Sequence, residues 1–151
     1  MDIPFELAVL ALLKQGNVFY FVDPAYQSKD PHNFVLLNRE PSKEKNLIFV
    51  GASSKVDSIR RLRAQEPPET LVLVNPSDYR DFTCVTLFDC NRYIERNFVE
   101  VVRLIKQEKR FKPRERIGDA ILDRLIKGVL ASRLVPPRIK NEIKAPSEDT
   151  V

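Results

Sequence analysis

Residues 46–51, NLIFVG, are an apolar run closed by a glycine, and their reading sets the fold. The run reads as a strand buried on both faces, since no polar residue alternates with the apolar ones. Toward the N-terminus, NFVLLN (33–38) follows a polar loop, DPAYQSKDPH (23–32), punctuated by two Asp-Pro steps. Before it, NVFYFV (17–22) follows Gly16 and ends at Asp23-Pro24. Both are bounded by turn formers, and the first is rich in β-branched and aromatic residues, so both read as strands. Toward the C-terminus the period changes. In SSKVDSIRRLRA (53–64), Val56, Ile59 and Leu62 recur every three residues, predicting a short helix capped by Ser53 or Ser54 and stopped by Pro67-Pro68. TLVLV (70–74) and TCVTLF (83–88) are a fourth and a fifth strand, with the turn signal Asn75-Pro76-Ser77-Asp78 between them.

From there the chain reads as helical. Phe98, Val101, Val102 and Ile105 form an apolar stripe, while Arg96, Arg103, Lys106, Lys109 and Arg110 lie mostly off it. Pro113 suits the first position of a second helix, whose buried side is Ile117, Ile121, Leu122, Leu125 and Val129. Pro136-Pro137 ends it, and Arg138 to Ile143 make a last turn or two. The predicted class is therefore α+β. Five short strands with an inserted helix make a small curved antiparallel sheet or barrel, because small sheets hide their edges by closing. Two to three C-terminal helices follow. One domain is expected over 1–144, divided into a strand-rich part (16–91) and a basic helical part (92–144). Residues 145–151, APSEDTV, are expected to be a flexible tail.

The chain has 151 residues, 43% hydrophobic and 30% charged, which fits a globular protein and excludes a disordered one. Its net charge of +4 is unevenly spread: −2 over residues 1–90, +8 over 91–144 and −2 in the tail. The +8 segment either attracts a polyanion, nucleic acid being the commonest in a cell, or is a solvated helix surface. Cys84 and Cys90 have no partners at zinc-ligand spacing and read as two buried thiols. The apolar run Leu7 to Leu13 lies in a helix-like segment, Pro4 to Leu13, too short to span a bilayer. Asp2 and Glu6 stand where a leader peptide would be basic. No membrane association and a cytoplasmic location are the expectation.

Signatures of common chemistries are absent: no GxGxxG, GxxxxGK[ST], HExxH or GxSxG. With four glycines and one histidine, neither a phosphate-cradling loop nor a metal site is expected, and no cofactor. Four places could carry chemistry. His32, before the second strand, either caps a turn or serves as a general acid or base, with the one side chain that ordinarily titrates near neutrality. Ser53 and Ser54 either cap the following helix or hold a phosphate. Asp89, Asn91 and Arg92, at the expected junction of the last strand and the basic helices, either line a cleft or cap a helix starting near Ile94. Arg60, Arg61 and Arg63 are either phosphate contacts or a solvated face. Tyr20, Tyr26 and Tyr79 are candidates for stacking on bases, whereas Phe19 and Phe21 belong in the core.

A glycine opening a strand (GNVFYFVDP), a strand after a polar loop (PHNFVLLN), a strand ending in hydroxyls (NLIFVGASS) and a later strand before helices (TCVTLFDCN) together resemble the PemK/MazF family of toxin-like small β-barrels over about residues 16–110. The resemblance implies a homodimeric endoribonuclease neutralised by an antitoxin protein. It also implies that Ser53 or Ser54 takes the place of the family's catalytic Thr or Ser. The family's Arg-Pro step does not carry over, because His32-Asn33 stands there, and His32 is the substitute acid or base. The expected activity is metal-independent RNA cleavage by His32, Ser53 and Ser54. Arg60, Arg61, Arg63, Arg92, Lys106, Lys109 and Arg110 would bind RNA. The competing readings are a non-catalytic nucleic-acid- or protein-interaction module using the basic C-terminal helices, and an interaction subunit docking through the helix from Pro4 to Leu13.

Overall fold

The structure, a computed structural model, describes residues 4–26, 29–108 and 114–144. The expected α+β class holds. Strands β1 (Val18–Phe21), β2 (His32–Leu36), β3 (Asn46–Ser53), β4 (Leu71–Val74) and β5 (Thr86–Asn97) form one antiparallel sheet in the order β1-β2-β3-β5-β4. Helices α1 (Phe5–Ala11) and α2 (Val56–Leu62) precede β1 and β4, and α3 (Phe98–Lys106), α4 (Asp119–Ala131) and α5 (Pro137–Ile143) follow the sheet.

The central strand behaves as its sequence predicts. From Leu47 to Ala52 every residue of β3 is buried, because helices cover both faces of the sheet. Val35, Ile48, Val50, Val72, Val74 and Phe88 face Leu125 and Val129 of α4 and Ile139 and Ile143 of α5. Phe34, Leu36, Leu47, Phe49 and Ile94 face Val9 of α1 and Val101, Val102 and Ile105 of α3. This two-sided cover overturns the barrel alternative. Closing is one way for a sheet to hide its faces, and helices on both sides are another. The sheet stays open, with β1 and β4 as edges of four residues each, short enough to offer little template for unwanted pairing.

Other expectations are corrected by the same packing. The last strand does not end at Phe88 but runs from Thr86 to Asn97, so Asp89–Arg92 lies inside a strand and residues 92–97 are not helical. Its second half pairs Asn46–Val50 with Tyr93–Asn97, which outweighs the helical spacing of the following residues. The helix starts instead at Phe98. Asn97 accepts the Glu100 N–H through its side chain, and Glu100 accepts the Asn97 N–H, a reciprocal cap written in NFVE (97–100). The apolar triplet of α2 marks no buried face: Leu62 is 70% exposed. Neither serine sits at the α2 N-cap, although the Ser53 hydroxyl accepts the Lys55 N–H just before the helix. Cys84 is exposed and only Cys90 is buried. Tyr79 is core, its hydroxyl donating to the Glu115 carbonyl, and is not available to a base. The second basic helix begins at Asp119, after residues 114–118 without regular structure, so Pro113 is not its first residue.

Two glycines are required where they stand. Gly16 takes a φ of 91°, the left-handed region, while its N–H donates to Leu36 and its carbonyl accepts from Ile117. Gly128 brings α4 against β5: a Cβ there would lie 2.8 Å from both the Cys90 sulfur and the Glu69 carbonyl oxygen. Replacing Gly128 by Ala should therefore destabilise the protein by about 1–3 kcal/mol through overpacking. This holds even though alanine is favoured over glycine in a helix interior by about 1 kcal/mol. A chemical denaturation midpoint at or above that of the unmodified protein would contradict this account of the α4–β5 contact.

Candidate functional site

Of the side chains singled out from the sequence, His32, Ser53 and Ser54 lie where β2 begins and β3 ends, and Arg92 acts on His32 from β5. Phe34 of β2 stands opposite Gly51 of β3 in the last pair of this ladder, and His32 and Ser53 each lie two residues beyond it, at the same end of the two strands. His32 is the first residue of β2, opposite Phe21, and not part of the preceding loop. The β3–β5 ladder shifts here. Val50 pairs with Tyr93 and Ala52 with Phe88, so the four residues Asp89–Arg92 face the single residue Gly51. Such irregularities re-aim side chains. Asn91 turns toward α4, whereas Arg92 emerges near His32.

The loop after β1 is fixed by charge. Asp23 is fully buried, and its two carboxylate oxygens accept from Arg96 of β5 at 2.7 and 3.0 Å. One of those oxygens also accepts the Ala25 N–H at 2.8 Å. This bidentate pair sets the path that lays Tyr26 over the sheet. The Tyr26 ring meets Phe34 edge-on at 5.1 Å and lies 5.0 Å from the His32 ring. A Cβ on Gly51 would collide with the Tyr26 hydroxyl and the Phe34 ring, so this position requires glycine for room, not for backbone freedom. Burial pushes the Tyr26 hydroxyl up to about 12, which keeps it protonated at neutral pH.

His32 is half-buried, and its Nδ1 is enclosed without a hydrogen-bond partner. Burial lowers its pKa below the ordinary 6.5, Lys55 and Arg92 add to the lowering, and the backbone and carboxylate of Asp30 act against it. A neutral imidazole is thus available as a proton acceptor at pH 7. Ser53 is half-buried with its hydroxyl accepting from Lys55, and Ser54 is exposed. The guanidinium of Arg92 lies over the Tyr26 ring, 4.1 Å from its centre, and donates to the Ala25 carbonyl.

Other candidates are placed differently. Arg60 and Arg61 are exposed on α2, but Arg63 donates to Asp89 at 2.8 Å. Asp89 and Asn91 are buried. Asn91 donates to Asp89 and to Thr70, and it accepts from Ser132 after α4. These groups tie α2, β5 and α4 together and do not line an open cleft. Lys106 belongs to another surface, paired with Glu6 of α1 at 2.8 Å. It borders a groove of about 450 Å³ that also includes Val99 and Arg103. Leu7 and Leu10 of α1 are exposed as well. Lys109 and Arg110 lie outside the described residues. Tyr20 is half-buried under Arg114. Lys55, Gly51 and the Asp23–Arg96 pair were not legible as site elements, because partners 73 residues apart leave no local signal. Among the described residues no three His, Cys, Asp or Glu side chains form a metal-binding group, and no helix is long and apolar enough to cross a membrane.

The lowered pKa of His32 has a measurable consequence. The unfolded chain takes up this proton first as pH falls, so the stability His32 contributes is complete above about pH 6.5. It is lost as pH drops through the lowered folded value. An NMR titration should place the imidazole midpoint below 6.5, and His32→Gln should flatten the acid side of the stability profile. A midpoint at or above 6.5 contradicts the burial assigned to the ring.

No family model matches the sequence, and no curated protein matches it. Among solved structures, the fold is similar to that of an endoribonuclease from mycobacterial species, with a TM-score of 0.52 over 83% of this chain and 94% of that one. The two sequences are 10% identical, so the likeness is one of fold.

Proposed function

We propose that this chain is a toxin-like endoribonuclease of the PemK/MazF kind, cleaving RNA with side chains alone. The observation that carries the reading is the placement of His32 at the same end of the β2–β3 pair as Ser53, with burial, Lys55 and Arg92 lowering the pKa of its imidazole. The likeness of fold to an endoribonuclease supports it. RNA would lie across this end of the open sheet. His32 takes the proton from a 2′-hydroxyl, whose oxygen attacks the adjoining phosphorus. The 5′-oxygen leaves and is protonated in turn. Ser53 or Ser54 holds the scissile phosphate, and Arg60, Arg61 and Arg92 supply positive charge. On this reading the chain works in the cytoplasm as a homodimer, held in check by an antitoxin protein.

A second reading, an interaction module without cleavage, is favoured by the groove between α1 and α3, where Val99 is 75% exposed beside Arg103. Incubating the purified protein with single-stranded RNA in EDTA separates the two. The nuclease reading expects cleavage that persists in chelator and falls by about 10²–10⁴-fold in His32→Ala. Intact RNA leaves the binding module, whereas equal cleavage by both proteins removes His32 from the chemistry.

A further inference from the structure

Arg92 brings a fixed plane to this site as well as its charge. One of its nitrogens already donates to the Ala25 carbonyl, and its guanidinium is seated on the Tyr26 ring at 4.1 Å from the centre. That distance is well within the range of roughly 6 Å at which a cation and an aromatic face attract. The ring beneath it is held in turn. Tyr26 meets Phe34 and His32 at 5.1 and 5.0 Å and packs against Gly51. Its loop is anchored by the fully buried Asp23 carboxylate on Arg96. The inner side of the guanidinium is thus fixed, while Arg92 itself remains exposed. What it offers outward is a flat, weakly hydrated, delocalised cation, a surface that matches the π-face of a nucleobase.

Resting on the RNA reading of this site, we propose that Arg92, backed by Tyr26, is a stacking platform for one unpaired nucleobase next to the phosphate held near His32 and Ser53. The ligand class is single-stranded RNA with a splayed base, since the faces of paired bases are hidden within a duplex. A phosphate contact would need only charge, and lysine would serve as well. A platform needs the plane, and lysine has none.

The test compares Kd values, at one fixed salt concentration, of the unmodified protein and Arg92→Lys for a single-stranded RNA oligonucleotide and for an abasic ribose-phosphate oligomer of equal length. The platform predicts about a tenfold loss on the RNA, by the usual strength of one base stack. It predicts little change on the abasic oligomer and an unchanged salt slope, because the charge count is preserved. Equal affinities of the two proteins for RNA, or equal losses on both oligomers, overturn the platform while leaving the RNA site standing. If the unmodified protein binds neither oligomer, the underlying RNA reading falls with it. If Arg92→Lys melts at a lower temperature, the unmodified protein alone decides the matter. Single abasic substitutions scanned along the RNA must then show one dominant position, and uniform small losses refute the platform.

Discussion

Two-sided burial of β3 is the constraint on which the rest of this structure depends. A strand with Phe49 facing one way and Val50 the other, both fully buried, cannot be satisfied by a sheet with one wet face. It requires α1 and α3 on one side and α4 and α5 on the other. Once those helices are in place, the sheet has no apolar face left to hide and no reason to close. The helical additions at both ends of the chain are therefore part of the sheet's stability. The contact at Gly128 shows how closely one of them is fitted.

The same strand positions the site by what it lacks. At Gly51 the sheet has no side chain, and Tyr26 and Phe34 occupy the room. Opposite it, β5 inserts extra residues, and their two ends have opposite fates. Asp89 and Asn91 are consumed in a buried polar chain from Arg63 to Ser132, whereas Arg92 surfaces beside His32 and Tyr26. Such a network is costly when half-made, because an unpartnered buried polar group loses its water without replacement. Here each member has a partner, and the network holds α2 and the end of α4 to the strand between them.

Electrostatics divide the molecule into surfaces with different capacities. Near His32, the cations Lys55 and Arg92 act on an imidazole that burial has already made less basic, while the Asp23 carboxylate is fully engaged by Arg96. The carboxylate of Asp30 opposes the two cations at the ring. On the α1–α3 surface, Lys106 is balanced by Glu6 and the exposed groups beside it include Leu7, Leu10 and Val99. The positive balance read from the whole C-terminal segment therefore does not describe one face. Its cations are spread over β5, α3, α4 and α5, several of them in ion pairs such as those of Arg96, Arg133 and Arg138.

The sequence by itself determined what is written locally. The double burial of β3 is legible there, as are β1, β2 and β4 near their true positions and the apolar side of α4, where Ile121, Leu122, Leu125 and Val129 are all buried. Period and turn chemistry act within a few residues, so they can be read there. It also singled out His32, Ser53 and Arg92, although for separate reasons. Only the tertiary structure decided that these three share one end of the sheet, that the sheet is open, and that β5 continues to Asn97. It also decided that Arg63 is spent on Asp89 and that Tyr26 lies under Arg92. Each of those outcomes depends on pairing between segments far apart in the chain, and a register shift of a few residues at Gly51 is enough to turn one side chain inward and its neighbour out.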